Sequence, residues 1–317
     1  MEVVRSLGFR PNVMARNMRV GARDAALGLV IPDLANPFFG ALASGVEAVI
    51  RARGLHLVIA SSEEDAVQER SIVGALLDRQ VTALIIVPSV DSDHAYLRAE
   101  RRRGLPVVFL DRPPNGLTAD AVVSDNIGGA RRAVAHLLLG GHRRIAFVGD
   151  APPTLYTRRE RLRGYRQALE DGGVPFDRTL VEHGHHQDDA AAATRRLLSG
   201  PNPPTAIFAA NNLACMGVIS ALSKMKRRDV AVVGFDDFDL ADAFDPAISV
   251  VAQDIQLGTA AAEVAMRRLD GDRAAAQLRV LATRLIARGS GEIPPAGLDN
   301  HRPTRGRRAG TVIRSSG

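Results

Sequence analysis

The sequence predicts an α/β protein made of two doubly wound parallel-sheet lobes, and three observations predict it. Short apolar runs rich in Val, Ile or Leu recur along the chain. Helix-periodic stretches separate several of them, and strands alternating with helices form parallel sheets covered on both faces. The length of 317 residues suits about two domains at roughly 150 residues each.

The first run, 26–31, ends on Asp33 and Asn36. Pro37 then opens a helix whose Phe39, Leu42, Val46, Val49 and Ile50 share one face. Asn caps free amides, and Pro is pre-set for the first helical position. Runs at 55–60, 83–88 and 106–110 follow, then 121–124 with Asp125 and Asn126 behind it. The pattern breaks there and restarts after Gly140-Gly141, so the boundary between two α/β halves is placed at that point. The second half has runs at 145–149, 205–210, 230–235 and 248–252. A helix at 255–269 and a late strand at 281–286 remain without an obvious vacancy in either half, which implies that the chain crosses between halves more than once. The Gly-, Pro- and Arg-rich end reads as a disordered tail.

Composition narrows the function. The chain is 46% hydrophobic and 24% charged, which is globular composition. Aromatics are 4% and Trp is absent, which argues against an aromatic-rich stacking platform. The one cysteine, Cys215, excludes an internal disulfide framework and a Cys-pair zinc site, and fits a reducing cytosol. No apolar run approaches the roughly 18 residues of a membrane span, and the first residues, MEVVRSLGFRPN, lack the apolar stretch of a secretory signal. The net charge of +6 sits at the ends: residues 1–23 and 288–317 are each +4, which leaves −2 for the body. A nucleic-acid partner would therefore touch an end.

Ligands of open α/β sheets bind beyond the carboxyl ends of strands. The residues found there are Asp33, Asn36, Phe38 and Phe39, then Asp125 and Asn126, Asn211 and Asn212, Asp236 and Asp237, and Gln253 and Asp254. Singly, Asn and Asp at such places cap helices; together they can converge on one cleft for a small polar ligand. Arg161 opens a helix after 145–149, where its fork can take a hydroxyl pair or a carboxylate. His183, His185 and His186 match no zinc spacing and read as surface or pocket-lining groups. The acidic run Asp236, Asp237, Asp239, Asp242 and Asp245 lacks the Gly and terminal Glu of a calcium loop. No metal site or cofactor is expected. The chain has no G-x-x-x-x-G-K-[ST], G-x-S-x-G, G-x-G-x-x-G or H-E-x-x-H, and nothing pairs a nucleophile with a base. An enzyme is therefore not expected.

The blocks LGFRPNVMARNMR, GLVIPDLANPFFGALASGVE, VVFLDRP, VVSDNIGGARRAVAHLLLGGHRRIAFVGD, RLRGYRQAL, PPTAIFAANNLACMGVISAL, VAVVGFDD and SVVAQD, in this order, resemble the lac repressor (LacI) family of bacterial transcription regulators. The match spans about Met1 to Gly289. Single blocks are weaker signals, because sugar-binding transport proteins share the two-lobed fold.

The resemblance implies a periplasmic-binding-protein-like core of two lobes with three crossovers and a short N-terminal hinge helix. The protein would act as a cytoplasmic homodimer on operator DNA. It assigns 1–23 to the end of the DNA-binding region and hinge, 24–141 plus 253–277 to the N-terminal lobe, 142–252 plus 278–289 to the C-terminal lobe, and 290–317 to the tail. By resemblance, the effector pocket holds Phe38 and Phe39 for stacking, with Asp125, Thr157, Arg161, His186, Asn211, Asp236 and Gln253. His186 stands where many members carry an aromatic, and Asn211-Asn212 where an Asn-Asp pair is usual. The DNA-facing residues would be Arg10, Asn12, Arg16, Met18 and Arg19, with Met18 the apolar wedge between minor-groove base steps.

The chain begins within the last stretch before the hinge. Most of the helix-turn-helix that enters the major groove is thus expected outside it, and operator binding depends on that element. A small polar effector, by default a sugar, would change the angle between lobes and so the DNA affinity. The alternative is a cytosolic solute sensor without a DNA role.

Overall fold

The computed structural model of the chain describes residues 26–184 and 186–296. Arg10, Asn12, Arg16, Met18 and Arg19 lie outside the described residues, as do His185 and 297–317.

Two six-stranded sheets organise the chain. The first contains β1 (Ala26–Ile31), β2 (His56–Ser61), β3 (Ala83–Ile86), β4 (Val107–Leu110), β5 (Asp120–Ser124) and β11 (Leu278–Leu281). Their order is β11-β5-β4-β3-β1-β2, with every pairing parallel. The second contains β6 (Ile145–Gly149), β7 (Val181–His183), β8 (Ala206–Ala209), β9 (Ala231–Phe235), β10 (Ser249–Ala252) and β12 (Arg284–Ile286). Their order is β12-β10-β9-β8-β6-β7, and only β12 runs antiparallel. Strand by strand, the second sheet repeats the first.

Inner strands such as β1, β3, β4, β8 and β9 are buried along their whole length. That explains their continuous apolar runs, since helices cover both faces. The edge strands β2 and β7 are partly exposed and read less clearly.

In the first lobe, α1 (Pro37–Arg51) starts at the Asn36 cap and buries Phe39, Leu42, Ala43, Val46 and Ile50. These pack against α8 (Leu257–Leu269) and strands β1 and β3 in one core. Each such fully buried large side chain contributes about 1.5–3 kcal/mol. The two helices meet closely at Gly258, where a Cβ would lie 2.1 Å from the Leu42 carbonyl oxygen. A side chain there would force them apart. On the opposite face, α2 (Ala66–Asp78) brings Val73 and Leu76 to a second core with Leu84, Ile86 and Phe109. The short helix α3 (Arg98–Arg102) buries none of its residues.

The second lobe packs α4 (Asn126–Leu139) and α5 (Tyr156–Asp171) on one face, and α6 (Gln187–Ser199) and α7 (Asn212–Lys224) on the other. The Tyr165 hydroxyl on α5 donates to the Ile145 carbonyl at 2.8 Å, which satisfies its polar tip inside the core.

The lobe boundaries differ from the sequence expectation in three places. Residues 126–139 were expected in the first lobe, but α4 buries Ala130, Ala133, Val134 and Leu137 against Phe147, Tyr165 and Phe208 of the second. The single late strand expected at 281–286 is two strands. Leu278–Leu281 pairs in register with Ala121–Ser124 in the first sheet, whereas 278–289 had been placed wholly in the second lobe. Arg284–Ile286 pairs with Val250–Ala252 in the second. Finally, the tail does not begin at 290. Ser290 is buried and donates to the Val232 carbonyl at 2.7 Å, and Glu292 meets His136 at 2.6 Å.

Within the described residues the chain passes between lobes three times: after β5, after β10 and between β11 and β12. Hydrogen bonds tie these passages together. Asp125 N–H donates to the Leu281 carbonyl at 2.8 Å, Arg132 to Thr283 Oγ1 at 2.5 Å, and Ser124 Oγ to Gln253 Oε1.

Candidate functional site

The carboxyl ends of both sheets open on one cleft of about 740 Å³ between the lobes. Seven of the nine effector-pocket candidates line it: Phe38, Phe39, Thr157, Arg161, His186, Asn211 and Asp236. Asp125 and Gln253 do not. Asp125 caps α4 by accepting from Gly128 N–H at 2.8 Å and pairs with Arg132 at 3.2 Å. Gln253 stands behind the cleft, where its amide donates to Asp236 Oδ1 at 2.5 Å.

Local sequence explains each placement. Asn36 accepts from Phe38 N–H at 3.1 Å, so the turn that caps α1 also delivers Phe38 and Phe39 to the cleft, edge to face with centroids 5.3 Å apart. Asn211 caps α7 by accepting from Ala214 N–H at 2.6 Å. Its neighbour Asn212 donates to Asn36 Oδ1 at 2.8 Å, a direct hydrogen bond between the lobes. His186 caps α6 at the exposed rim, with Asp189 accepting from its N–H at 3.2 Å.

Arg161 is held along one edge and over one face. Its Nε donates to Asn126 Oδ1 at 2.8 Å and its Nη1 to the Ala210 carbonyl at 2.7 Å, and Asp236 Oδ2 lies 3.6 Å from Nη1. The guanidinium stacks 3.8 Å over the Phe235 ring. A planar cation fixed in this way presents its remaining edge at a set angle.

Several cleft residues were not singled out from sequence: Ser61, Glu63, Glu64, Asp111, Arg112 and Asp150. Asp111 and Arg112 directly follow β4, and Asp150 directly follows β6. The rule that ligands meet strand ends reaches all three when applied at every strand. Glu63 and Glu64 stand farther past the end of β2, and only the folded loop brings them back.

Asp111 occupies in the first lobe the place Asp236 occupies in the second. Each directly follows the fourth strand of its lobe in chain order, β4 or β9. Each has a left-handed backbone, with φ of 65° and 71°. Each donates its N–H at 2.9 Å to the neighbouring strand, Asp111 to the Val122 carbonyl and Asp236 to that of Val251. Asp tolerates this conformation better than most side chains, but such backbone still costs of order 1–3 kcal/mol and concentrates at binding sites.

Both carboxyls are buried, and burial pushes both above the usual carboxylate range. For Asp111, Arg112 and Arg161 oppose the rise, while Asp236 and Glu64 add to it. For Asp236, Arg161, the Gln253 amide and the Asn212 backbone oppose it. Asp111 Oδ1 is buried and has no hydrogen-bond partner among the described residues. Arg112 forms a two-pronged pair with Glu64 at 2.6 and 2.8 Å and donates to the Pro88 carbonyl at 2.7 Å.

The arrangement suits binding of a polar solute. The Cys215 thiol lies buried in α7, and burial pushes it up to about 12, which leaves it a poor nucleophile. Among the described residues no three His, Cys, Asp or Glu side chains gather where they could hold a metal ion, and no helix is long and apolar enough to cross a membrane.

A family model described as a periplasmic binding protein-like domain matches residues 134–291. The chain is 32% identical over 297 residues to the HTH-type transcriptional regulator DegA of Bacillus subtilis (strain 168), covering 92% of this chain and 87% of that protein. It is 33% identical over 301 residues to the HTH-type transcriptional regulator CelR of Thermobifida fusca, covering 91% and 87%. Among solved structures, a transcriptional regulator CelR–cellobiose complex superposes with a TM-score of 0.75 at 30% identity, covering 91% of this chain and 88% of that one. A LacI family transcriptional regulator from Enterococcus faecium with bound ribose superposes with a TM-score of 0.75 at 25% identity, covering 84% and 98%.

Proposed function

The chain belongs to the LacI family of transcriptional regulators, and from that premise we propose that it is a sugar-responsive repressor whose effector lies in the cleft between the lobes. Its family is one of regulators rather than enzymes. The observation that carries the sugar reading is the pair of strand-end carboxylates, Asp111 and Asp236, facing one cleft with the fixed guanidinium of Arg161. Carboxylates accept from sugar hydroxyls, a guanidinium fork donates to them, and an aromatic edge covers a pyranose or furanose face. Solved relatives with cellobiose and with ribose support a saccharide as the class.

In this reading Phe38 and Phe39 take the apolar face of the sugar. Arg161, Asn211, Asp236, Thr157 and His186 contact it, and Gln253 orients Asp236 from behind. Asp125 acts at the first crossover, where it caps α4. Ligand bound to both lobes favours the closed cleft, and the three crossovers carry that closure to the front of the chain. There Arg10, Asn12, Arg16, Met18 and Arg19 engage operator DNA in a cytoplasmic homodimer. The coupling between sites is about 1–3 kcal/mol, as is usual for such regulators, and requires that the sugar bind the two states differently.

A thermal-shift screen of pentoses, hexoses and disaccharides tests the sugar reading. A saturable rise in melting temperature with at least one of them, lost in Arg161→Ala, is expected. No shift from any saccharide overturns it. Gel-shift titration of the full-length regulator with and without the stabilising sugar then tests the DNA role. Equal operator affinity in both conditions overturns the coupling.

A further inference from the structure

Charge in the cleft is one-sided. Asp33, Glu63, Glu64, Asp111, Asp150 and Asp236 line it, against two guanidiniums, Arg112 and Arg161. Both guanidiniums already face a carboxylate. Arg161 Nε and Nη1 are taken by Asn126 and the Ala210 carbonyl, and Asp236 beside Nη1 already balances its charge, which leaves its other edge to a neutral hydroxyl. Arg112 is covered: Glu64 Oε1 accepts from Nη2 at 2.6 Å and Oε2 from Nη1 at 2.8 Å, and Asp111 Oδ2 lies 3.5 Å from Nε. Glu63 and Glu64 both adopt left-handed backbone, with φ of 53° and 58°, which side chains of this kind rarely enter. The loop after β2 thus holds the Glu64 carboxylate against Arg112.

A second observation points to the ligand itself. Asp111 is only 3% exposed, it lines the cleft, and its Oδ1 has no partner among the described residues. A buried carboxylate oxygen without a partner, in a residue that lines a cleft, asks for a donor, either a hydroxyl or an ammonium.

We propose that Glu64 is a specificity-determining residue: by covering Arg112 it turns the cleft against acidic ligands and toward a hydroxyl-rich ligand carrying a protonated amine, an amino sugar. The proposal rests on reading the cleft as a sugar site. An acid sugar or a sugar phosphate reaches Arg112 only by displacing Glu64, which would then stand unpaired beside Glu63 and Asp150. An amine needs no such displacement, because carboxylates predominate in the lining and Asp111 Oδ1 still lacks a donor among the described residues. Selectivity of this kind comes as much from the repulsive arrangement as from the attractive one.

The test is calorimetric or thermal-shift titration of the full chain with matched sets: a neutral hexose, its 2-amino sugar, its uronic acid and its 6-phosphate. The 2-amino sugar is expected to bind about tenfold tighter than its neutral parent, an advantage that shrinks as salt rises. Both acids are expected to show no saturable shift. In Glu64→Gln the charge of Arg112 is no longer balanced by a paired carboxylate, so the acid sugars gain binding and the amine advantage narrows. Should Glu64→Gln fail to fold, Glu63→Gln is expected to narrow the amine advantage in the same direction. An acid that binds wild type as tightly as the neutral sugar, or an amino sugar no tighter than its parent, overturns the proposal. If no saccharide of any charge binds, the sugar reading itself fails. The charge rule is then read from putrescine against succinate, and a shift from succinate equal to or larger than that from putrescine overturns it.

Discussion

Asp111 and Asp236 hold the same position in the two lobes, with the same left-handed backbone and the same hydrogen bond to the neighbouring strand, yet their surroundings differ. Asp236 is enclosed by Arg161 and by the Gln253 amide. Asp111 leaves Oδ1 without a partner among the described residues, and its neighbouring cation Arg112 is taken by Glu64. Asp236 therefore finds its partners within the protein. The first lobe leaves a place for the ligand to complete. A site built this way binds first on the finished half and closes when the unfinished half finds its donor, which is how a solute can favour one angle between the lobes over another.

The largest expected difference between the halves is in stability. Asp236→Ala strands the buried guanidinium of Arg161 and is expected to cost about 3 kcal/mol, read as a fall in the urea midpoint, together with loss of the ligand-induced thermal shift. Asp111→Asn removes a carboxylate that lacks a full set of partners. It is expected to leave unliganded stability within about 1 kcal/mol of wild type while weakening effector binding about tenfold or more. Equal destabilisation by the two substitutions would erase the contrast between the lobes.

Acidity sharpens the same comparison. Burial raises the folded-state pKa of Asp111 above its unfolded value, so the folded protein binds more protons than the unfolded chain once the pH exceeds about 4. The contribution of this group to stability is greatest below that pH and is lost as pH rises through the folded pKa. Asp111→Asn removes the loss. Its urea midpoint, compared with wild type, is expected to gain most at neutral pH and least near pH 4. A mutant advantage that instead grows toward acid would contradict the account.

The smallest effect belongs to the contact between the lobes. Asn212→Ala removes the hydrogen bond to Asn36 and is expected to cost about 1 kcal/mol. Part of that cost should appear as weaker effector affinity if the contact favours closure. Unchanged affinity would confine the bond to stability.

How far these features could be read from sequence follows from their physics. Apolar strands buried on both faces announce themselves; Asp236 follows such a strand directly, and Asn211 and Asn36 stand in the short loops after two others. Asp111 and Asp150 were equally legible by the same rule. Glu64 was not, because its place depends on a left-handed loop that folds back onto Arg112. Helix α4 was assigned to the wrong lobe because its apolar face reads the same whichever core it enters. The split of 278–286 into β11 and β12 was hidden because short strands on two sheets look like one run until pairing is known.

The most direct test of the unfinished half-site is a crystal structure of the chain with its best-stabilising saccharide. The account predicts a ligand hydroxyl or ammonium within roughly 2.7–3.2 Å of Asp111 Oδ1, with Arg161 and Asp236 on the far side of the same ligand. A saccharide seated in the cleft with Asp111 Oδ1 still unpartnered would contradict it.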